Sequence, residues 1–548
     1  MAFRKSSPPT DLFTIANMPQ TGHPKEAALK ILQQLYPPTI EPNIHSSFTD
    51  QEIETEPPFT NKEIKEIFRT LPTNKAPGKD GIDYIILKEI QKAFPALLRK
   101  FLNKCLQLHH FPTPLKDGII VLFHKEGKEE RNISSYRPIT LLPTLGKVLE
   151  KLLQRINYKL EKDNLLHPNQ FGFRQGKSVD LALHTLIAKI QEAKNNNLHS
   201  YFLSIDIKGA FDNLIHSSIR NALDNLISKT NITETIKSIL QNRTVSLSTQ
   251  TGPVQWKQTK GCPQGSCSGP FFWNLIANNI LKETWPENIH LHAFADDFAF
   301  LITHKTQQGA RNLAKTAIEK FSQWANNSQL SISTEKTKYI YFGKSINPPR
   351  LKWLNERITK VQTIKYLGVH IDEKLNFIHH IQEKGTQALQ QYQQLQRIAG
   401  KDWGISNKDR ILIYKTVTER TLSHGAVVWA QHLTARAVRK LLTIQRKFLL
   451  TITRAYHTTA TSSLQILTGI PPLNLSVEKE ANFIKLSRFR KSITISGNTI
   501  HPEEFEEQKI GHEVHPAKFN LDSHKSQQKN YKIIQQETRL SQTAPKQM

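Results

Sequence analysis

Hydrophobic and polar positions divide the chain into a polar lead-in, a mixed central part and a helical last part. Residues 1–64 are rich in proline and polar groups and predict a loosely packed lead-in with a short helix near 25–36. Helical spacing follows in NKEIKEIFRTL, and NKAPGKDGID is typical of a loop. GIIVLFHKEG at 118–127 predicts a strand that ends in a basic turn, and LGKVLEKLLQRINYKLEK predicts an amphipathic helix.

Short strands alternate with helices in the central part. The segment 200–212, SYFLSIDIKGAFD, begins as a strand with Leu203, Ile205 and Ile207 on one face. LHAFADDFAFLITH predicts a hairpin, and GARNLAKTAIEKFSQWANNS predicts a helix with one apolar stripe. The stripe consists of Leu313, Ala317, Phe321 and Trp324. KTKYIYFG and TIKYLGVHID predict further strands. Strands interleaved with helices, including an antiparallel hairpin, predict an α+β fold.

From residue 373 helices replace strands, and a polar tail is expected over 476–548. In the helix at 433–454, a rotation of about 100° per residue brings four basic side chains together. These are Arg436, Lys440, Lys447 and Arg454. An isolated amphipathic helix usually presents such a face to solvent. In a chain this basic, a face that follows nucleic-acid phosphates becomes the better interpretation.

The charge balance points to a polyanionic partner. Lys and Arg number 74 against 47 Asp and Glu, which gives a net charge of +27 and a pI near 9.8. No apolar run approaches the roughly 20 residues that cross a bilayer, and the N-terminus lacks the apolar core of a secretory signal. The chain has three cysteines and no CxxC pair, so we expect neither a disulfide framework nor a zinc knuckle. We expect an intracellular setting.

Two carboxylate positions stand out against apolar surroundings. AFADDFAFL at 293–301 contains Asp296 and Asp297, which could form a tight turn or a metal site. Asp206 follows a strand 90 residues before Asp296 and could by itself be a turn or cap residue. Together the three could surround two Mg²⁺ ions, which prefer oxygen ligands and would activate a 3′ hydroxyl and stabilise a leaving pyrophosphate. Asp212 is interpreted as structural and is left out of this set.

Between these positions, KGCPQGSCSGPFFWNLIANNI (260–280) joins a glycine-rich loop to a helix. Its glycines allow close backbone approach, Gln264 offers a donor and an acceptor, and a helix N-terminus can face a phosphate. A loop of this kind could equally be a simple turn.

Eight motifs in fixed order carry a family resemblance. They are NKAPGKDGI, VLFHKEGKEERNISSYRPITLLPTLGKVLEKLL, QFGFRQGKSVDLAL, SIDIKGAFD, GCPQGSCSGP, AFADDFAF, STEKTKYIYFG and KYLGVHID. The chain resembles the reverse transcriptases of non-LTR (LINE-like) retrotransposons over about 65–475. SHGAVVWA and the basic region after it resemble jockey-like arthropod elements. The resemblance implies a right-hand polymerase, with fingers and palm at 65–372 (core domain about 103–372) and a helical thumb at 373–475.

The resemblance also implies residue roles. Asp206, Asp296, Asp297 and the Ile207 carbonyl would bind two Mg²⁺ ions, with Mn²⁺ as an alternative. Phe211 matches the ring that excludes a ribose 2′-OH, although it could be a core phenylalanine. Nucleotide contacts are implied for Lys125, Arg137, Gln264, Gly265 and Lys336. Nucleic-acid contacts are implied for Arg174 and for the KYLGV hairpin residues Tyr366, Leu367 and Gly368.

The implied function is RNA-directed DNA polymerase, with an RNA template, a DNA primer or target and dNTPs as partners and no membrane. Reverse transcription would take place in the nucleus, with the cytoplasm as another location. The lead-in is too short for the endonuclease of jockey-like elements, and the end of the chain lacks an RNase H carboxylate pattern, so a partial or truncated element protein is expected. The alternatives are an RNA-dependent RNA polymerase, a telomerase-type enzyme and a catalytically silent nucleic-acid-binding relic.

Overall fold

Two sheets form the framework of the protein in this computed structural model. The structure describes residues 12–18, 22–38, 53–344, 349–400, 403–431, 433–495 and 497–504. A central sheet has the strand order β13-β10-β3-β8-β7, and an outer sheet has the order β2-β1-β5-β6. The strands are β1 (Gly118–His124), β2 (Tyr136–Leu141), β3 (His199–Ile205), β4 (Ile207–Lys208), β5 (Arg243–Leu247), β6 (Val254–Gln258), β7 (Ile289–Phe294), β8 (Asp297–His304), β9 (Ser331–Ile332), β10 (Lys338–Phe342), β11 (Lys352–Trp353), β12 (Glu356–Arg357), β13 (Thr359–Lys360), β14 (Thr363–Tyr366), β15 (Val369–Asp372), β16 (Ile493–Ile495) and β17 (Asn498–Ile500).

Helices precede, connect and follow the strands. They are α1 (Leu12–Ala16), α2 (Pro24–Leu35), α3 (Asn61–Thr70), α4 (Tyr84–Ala93), α5 (Pro95–Gln107), α6 (Thr144–Leu153), α7 (Arg155–Lys162), α8 (Val179–Asn195), α9 (His216–Leu226), α10 (Asn231–Ile239), α11 (Gly269–Lys282), α12 (Gln307–Asn327), α13 (Ile378–Ile398), α14 (Asn407–Ile413), α15 (Glu419–Leu422), α16 (Ala426–Trp429), α17 (Ala435–Thr453), α18 (Thr461–Thr468) and α19 (Leu473–Ser487). The α+β class is confirmed. The helix expected from LGKVLEKLLQRINYKLEK is divided into α6 and α7, which turn at Gln154.

The central sheet is covered on both faces, because its inner strands are apolar at consecutive positions. β3 contributes Leu203 and Ile205 to one core, together with α11 and α12, while Phe202 faces the other. The second core contains α8 and buried side chains of α13, α15, α16, α17, α18 and α19. A strand buried on both faces loses the hydrophobic alternation of a half-exposed one, which accounts for runs such as YFL and FAFLI.

The lead-in is more tightly packed than expected. The predicted short helix is present as α2, but its residues Ala27, Ala28, Ile31 and Leu32 are fully buried against the outer sheet. Trp256 of β6 also donates its indole N–H to the carbonyl of Tyr36 at 2.8 Å. The expectation of loose packing is therefore wrong for α2, because proline-rich flanks say little about a short amphipathic helix between them.

The last part is helical as expected, with the small hairpin β16–β17 near its end. The expected boundary at 476 falls inside α19, whose Val477 and Ala481 are fully buried in the second core. A polar tail therefore does not begin at 476, and residues 505–548 lie outside the described part of the chain. In the ranges that the structure describes, every helix is too short or too polar to cross a bilayer.

Candidate active site

Strand register brings the carboxylates of Asp206 and Asp297 to the same end of the central sheet. β3 and β8 are antiparallel neighbours in which Ile205 lies opposite Phe298. Asp206 directly follows β3, and Asp297 is the first residue of β8. Asp296 lies in the turn between β7 and β8. The tight-turn and metal-site interpretations of the aspartate pair are therefore compatible, since the pair lies at a hairpin turn and close to a third carboxylate.

The hairpin turn is held from outside. Ala295 has a positive φ of 56°, and its carbonyl accepts a hydrogen bond from the indole N–H of Trp273 at 2.7 Å. An added Cβ at Gly172 would lie 2.1 Å from the Ala295 nitrogen, so the chain at 172 must pass without a side chain. These contacts set the direction in which the aspartate pair leaves the sheet.

The three carboxylates destabilise one another's charge. Burial, followed by the charges of Asp296 and Asp206, raises the pKa of Asp297 to about 6. Burial and Asp206 also raise the pKa of Asp296. One cation offsets this cluster directly, since Lys336 Nζ lies 3.2 Å from Asp206 Oδ2.

A hard divalent cation fits this donor set, because it would remove the repulsion that raises these pKa values. Among the described residues, no three His, Cys, Asp or Glu side chains already converge as a metal cage. The fit therefore rests on carboxylate chemistry and mutual repulsion.

A cavity of about 430 Å³ opens beside the carboxylates. Its lining includes most residues for which nucleotide or metal contacts are expected: Lys125, Arg137, Ile207, Phe211, Gln264, Gly265 and Asp296. These residues come from segments up to 171 positions apart in the sequence, from 125 to 296. The fold thus brings the separate motifs to one cavity.

Two basic side chains form the side of the cavity that belongs to the outer sheet. Lys125 follows β1, and its Nζ donates to the carbonyl of Ser134 at 2.7 Å. Arg137 lies in β2 opposite Phe123 and is exposed. Burial and the charge of Arg137 lower the pKa of Lys125. Two neighbouring cations of this kind can bind a polyphosphate, one as a planar fork and one as a point charge.

Phe211 lies at the junction of cavity and core. Its ring lines the cavity, and its centroid lies 5.8 Å from that of Trp273 and 6.0 Å from that of Phe173. It is only partly buried. Both interpretations of this residue therefore have support, since the ring is braced by the core and still presents a surface to the cavity.

The loop at 261–268 is fixed by residues that sequence reasoning missed. Glu150, buried in α6, accepts hydrogen bonds from the backbone N–H groups of Cys267 and Ser268 at 2.6 and 2.9 Å. Asp212 accepts from the Gln264 side chain and also lines the cavity. The position of Asp212 beside Phe211 was a usable signal, whereas Glu150 had none because its partners lie more than 100 residues away.

Arg174 does not face an open surface. Its guanidinium donates to both carboxylate oxygens of Glu161 and to the carbonyls of His167 and Gln170, and its side chain is 7 % exposed. This geometry does not support the expected contact with template phosphates, because the donors are already used inside the protein.

The KYLGV hairpin, β14–β15, lies near the carboxylates but presents different atoms from those expected. Tyr366 is 2 % exposed, and burial and the charge of Asp297 raise its pKa. At the tip, Leu367 and Gly368 have positive φ values of 47° and 82°. His424 lies with Nε2 3.0 Å from the Leu367 carbonyl oxygen. A contact of this hairpin with nucleic acid would involve its tip, since the Tyr366 ring is buried.

The basic side chains of α17 differ in exposure. Arg436 and Lys447 are exposed, and Lys440 is partly buried. Arg446, which flanks them, donates to Thr461 at 2.8 Å and to the carbonyl of His457. A contact of this face with nucleic acid remains a prediction.

Comparison with known proteins gives the family of the segment that contains this cavity. The model of the reverse transcriptase (RNA-dependent DNA polymerase) family matches residues 123–371. Residues 123–371 are a reverse transcriptase domain. The expected division into fingers, palm and thumb stays a prediction.

Relatives of this reverse transcriptase domain belong to non-LTR retrotransposons. The chain is 30% identical over 432 residues to a putative 115 kDa protein of the type-1 element R1DM of Drosophila melanogaster, covering 78% of the chain and 41% of the relative. It is 28% identical over 405 residues to the RNA-directed DNA polymerase of the Drosophila melanogaster mobile element jockey, covering 71% of the chain and 43% of the relative. The chain thus spans less than half the length of these relatives.

Solved structures similar to the chain include telomerase from Candida albicans in complex with a fragment of telomeric RNA. That match has a TM-score of 0.42 and 12% identity, and it covers 75% of each chain.

Proposed function

We propose that this chain is the RNA-directed DNA polymerase of a non-LTR retrotransposon, extending a DNA 3′ end with dNTPs on an RNA template. The observation that carries the proposal is one cavity lined by Asp296, Lys125 and Arg137, with Asp206 and Asp297 at the same end of the central sheet. Carboxylates and cations at one cavity suit a substrate that carries both a triphosphate and bound divalent ions.

Each residue of the cavity has a role in this proposal. Asp206, Asp296, Asp297 and the Ile207 carbonyl would hold two Mg²⁺ ions, or Mn²⁺. When bound, such ions stabilise charge on the attacking and leaving oxygens. Lys125 and Arg137 bind the triphosphate, and Phe211 closes the space beside C2′ of the sugar. Lys336, which pairs with Asp206 at 3.2 Å, would turn toward phosphate once cations take over the neutralisation of the carboxylate.

The nucleic-acid partners follow from charge. The net charge of +27 favours binding of a polyanion. The exposed side chains Arg436 and Lys447 of α17 and the tip of the KYLGV hairpin provide surfaces for a template–primer duplex. We place reverse transcription in the nucleus, where a chromosomal DNA end is available as primer.

Primer extension on poly(rA)/oligo(dT) with Mg²⁺ or Mn²⁺ tests the proposal. We expect wild-type protein to incorporate dTTP, and Asp206→Ala to bind the template–primer without extending it. Binding without extension by the wild-type protein would contradict the polymerase function and favour the silent nucleic-acid-binding alternative.

A further inference from the structure

Asp212 holds the side chain of Gln264 in a single orientation. Both carboxylate oxygens of Asp212 accept from Gln264 Nε2, at 3.0 and 3.1 Å. A carboxylate can only accept hydrogen bonds, so a flipped amide would set the Gln264 oxygen against two like partners. The Nε2 group is therefore directed at Asp212, and Oε1 is left to accept from a donor on a bound molecule.

The backbone of Gln264 is held by the outer sheet. Its carbonyl accepts from the N–H of Thr140 in β2 at 2.9 Å. The next residue, Gly265, has a φ of 141°, and an added Cβ there would lie 2.4 Å from the Thr140 carbonyl oxygen. The side chain of Gln264 is thus held by the central part of the molecule while its backbone is held by the outer sheet.

The segment that carries Asp212 is fixed against the same loop. Cys262 donates its N–H to the carbonyl of Phe211 at 2.8 Å, and Gly261 donates to Leu214 at 2.6 Å. An added Cβ at Gly261 would lie 2.6 Å from the carbonyl oxygen of Asp212. Phe211, Asp212 and Gln264 therefore form one rigid side of the cavity.

Two of the cations whose charge reaches Asp212 are the expected triphosphate contacts Lys125 and Arg137. Burial raises the pKa of this carboxyl group, and the hydrogen bond from Gln264 and the charges of Lys125, Arg137 and Lys260 oppose that rise. The Asp212 carboxylate therefore lies within electrostatic reach of Lys125 and Arg137 while it accepts the hydrogen bonds from Gln264.

We propose that Asp212 is a positioning residue for the incoming nucleotide, acting through the amide of Gln264, which it keeps oriented toward the cavity. This inference rests on the proposed polymerase function. It predicts that Asp212 and Gln264 act as one unit in nucleotide binding, so that removing the second residue after the first has little further effect.

A double-mutant cycle measures this coupling. Asp212→Ala, Gln264→Ala and the double variant are compared with wild type for KM and kcat with dTTP on poly(rA)/oligo(dT). Losing a hydrogen bond to a charged group should raise KM about tenfold to a hundredfold in each single variant, with kcat much less affected. The double variant should match the more affected single variant. Asp212→Asn, which retains an acceptor for Gln264 Nε2, should fall between Asp212→Ala and wild type.

Asp224→Ala is the matched control. Asp224 belongs to α9 and forms an ion pair with Lys237 outside the cavity, so this variant should keep the wild-type KM. Melting temperatures of all variants separate positioning from folding. Where Asp212→Ala lowers the melting temperature strongly, Asp212→Asn takes its place in the cycle.

Two outcomes would overturn the inference. If wild type extends primers but the effects of Asp212→Ala and Gln264→Ala multiply, Asp212 has only a structural role. The same double-mutant cycle is repeated without chemistry by measuring the Kd of dTTP for each variant bound to template and a dideoxy-terminated primer. If the two residues are coupled in dTTP binding but the protein cannot extend primers, the inference is supported and the polymerase function is contradicted. If they are not coupled in dTTP binding, the inference is contradicted whether or not the protein extends primers.

Discussion

The carboxylate end of the central sheet and helix α17 both carry charge, but the protein positions these charges differently. Asp206 and Asp297 are placed by the register of two neighbouring strands, and Asp296 by a turn that Trp273 holds. On α17, Arg436 and Lys447 extend into solvent from a helix whose other face is buried. Strand register and the turn therefore bring the charges of the first region close together, whereas those of the second are spread along a helix surface.

The two regions should therefore depend on different properties, the first on the geometry of its charged groups and the second on their number. Carboxylates around a metal site act together, so removing one leaves the others without a function. Cations that follow phosphates contribute in increments, because each releases its own counterions. Activity should therefore respond in an all-or-none manner to substitution of the sheet carboxylates, and nucleic-acid binding in a graded manner to substitution of the cations of α17.

The largest effect is expected from Asp206→Ala or Asp296→Ala. Either substitution should lower primer extension by a factor on the order of a hundred or more, since charge stabilisation worth several kcal/mol is lost from the reacting oxygens. Fold and template binding should change little. Steady-state extension and filter binding check this, and activity above a few per cent of wild type in either variant would disprove the metal assignment.

Phe211→Val should have the next largest effect, on sugar choice and not on rate. A smaller side chain removes the clash with a 2′-OH, so the preference for dTTP over UTP should fall about tenfold to a hundredfold. The measurement is kcat/KM for both nucleotides on one template–primer. If both are slowed equally and their ratio is unchanged, the ring serves the core contact with Trp273 alone.

A graded effect is expected when Arg436, Lys440 and Lys447 are all replaced by Gln. Affinity should fall for every sequence, and the slope of log K against log salt should flatten by roughly two to three units. A control triple replaces the exposed Lys62, Lys65 and Lys315, which removes the same net charge from α3 and α12. Equal slopes for the two triples would mean that α17 has only a solvated face.

The smallest effect on nucleic-acid binding is expected from Arg174→Gln. Because its donors are used by Glu161 and two carbonyls, the variant should lose about 1.5–3 kcal/mol of unfolding free energy. Its salt slope should equal that of wild type. Denaturant unfolding and binding titrations check the two quantities, and a slope lower by about one unit with unchanged stability would restore the template contact.

Sequence reasoning was most successful where function depends on strand ends and motif order. The positions of Asp206, Asp296 and Asp297 follow from strand patterns, and the cavity brings together residues of several separate motifs. It was least successful where a hydrogen-bond partner distant in sequence determines the position of a side chain. Arg174 could not be placed without Glu161, and the role of Glu150 could not be seen without Cys267 and Ser268, more than 100 residues later. The buried face of α19 was hidden by the polar average of the region around it.

The limits of the family match along this chain are not the limits of its folded cores. The family match begins at 123, inside β1, and ends at 371, inside β15. An excised segment with those limits would lack α2, which covers the outer sheet, and helices α13–α19, which complete the second core beside α8. Apolar side chains of these two cores would then be exposed to water, which favours association between copies. The segment that matches the family model is therefore shorter than the folded unit that these two cores hold together.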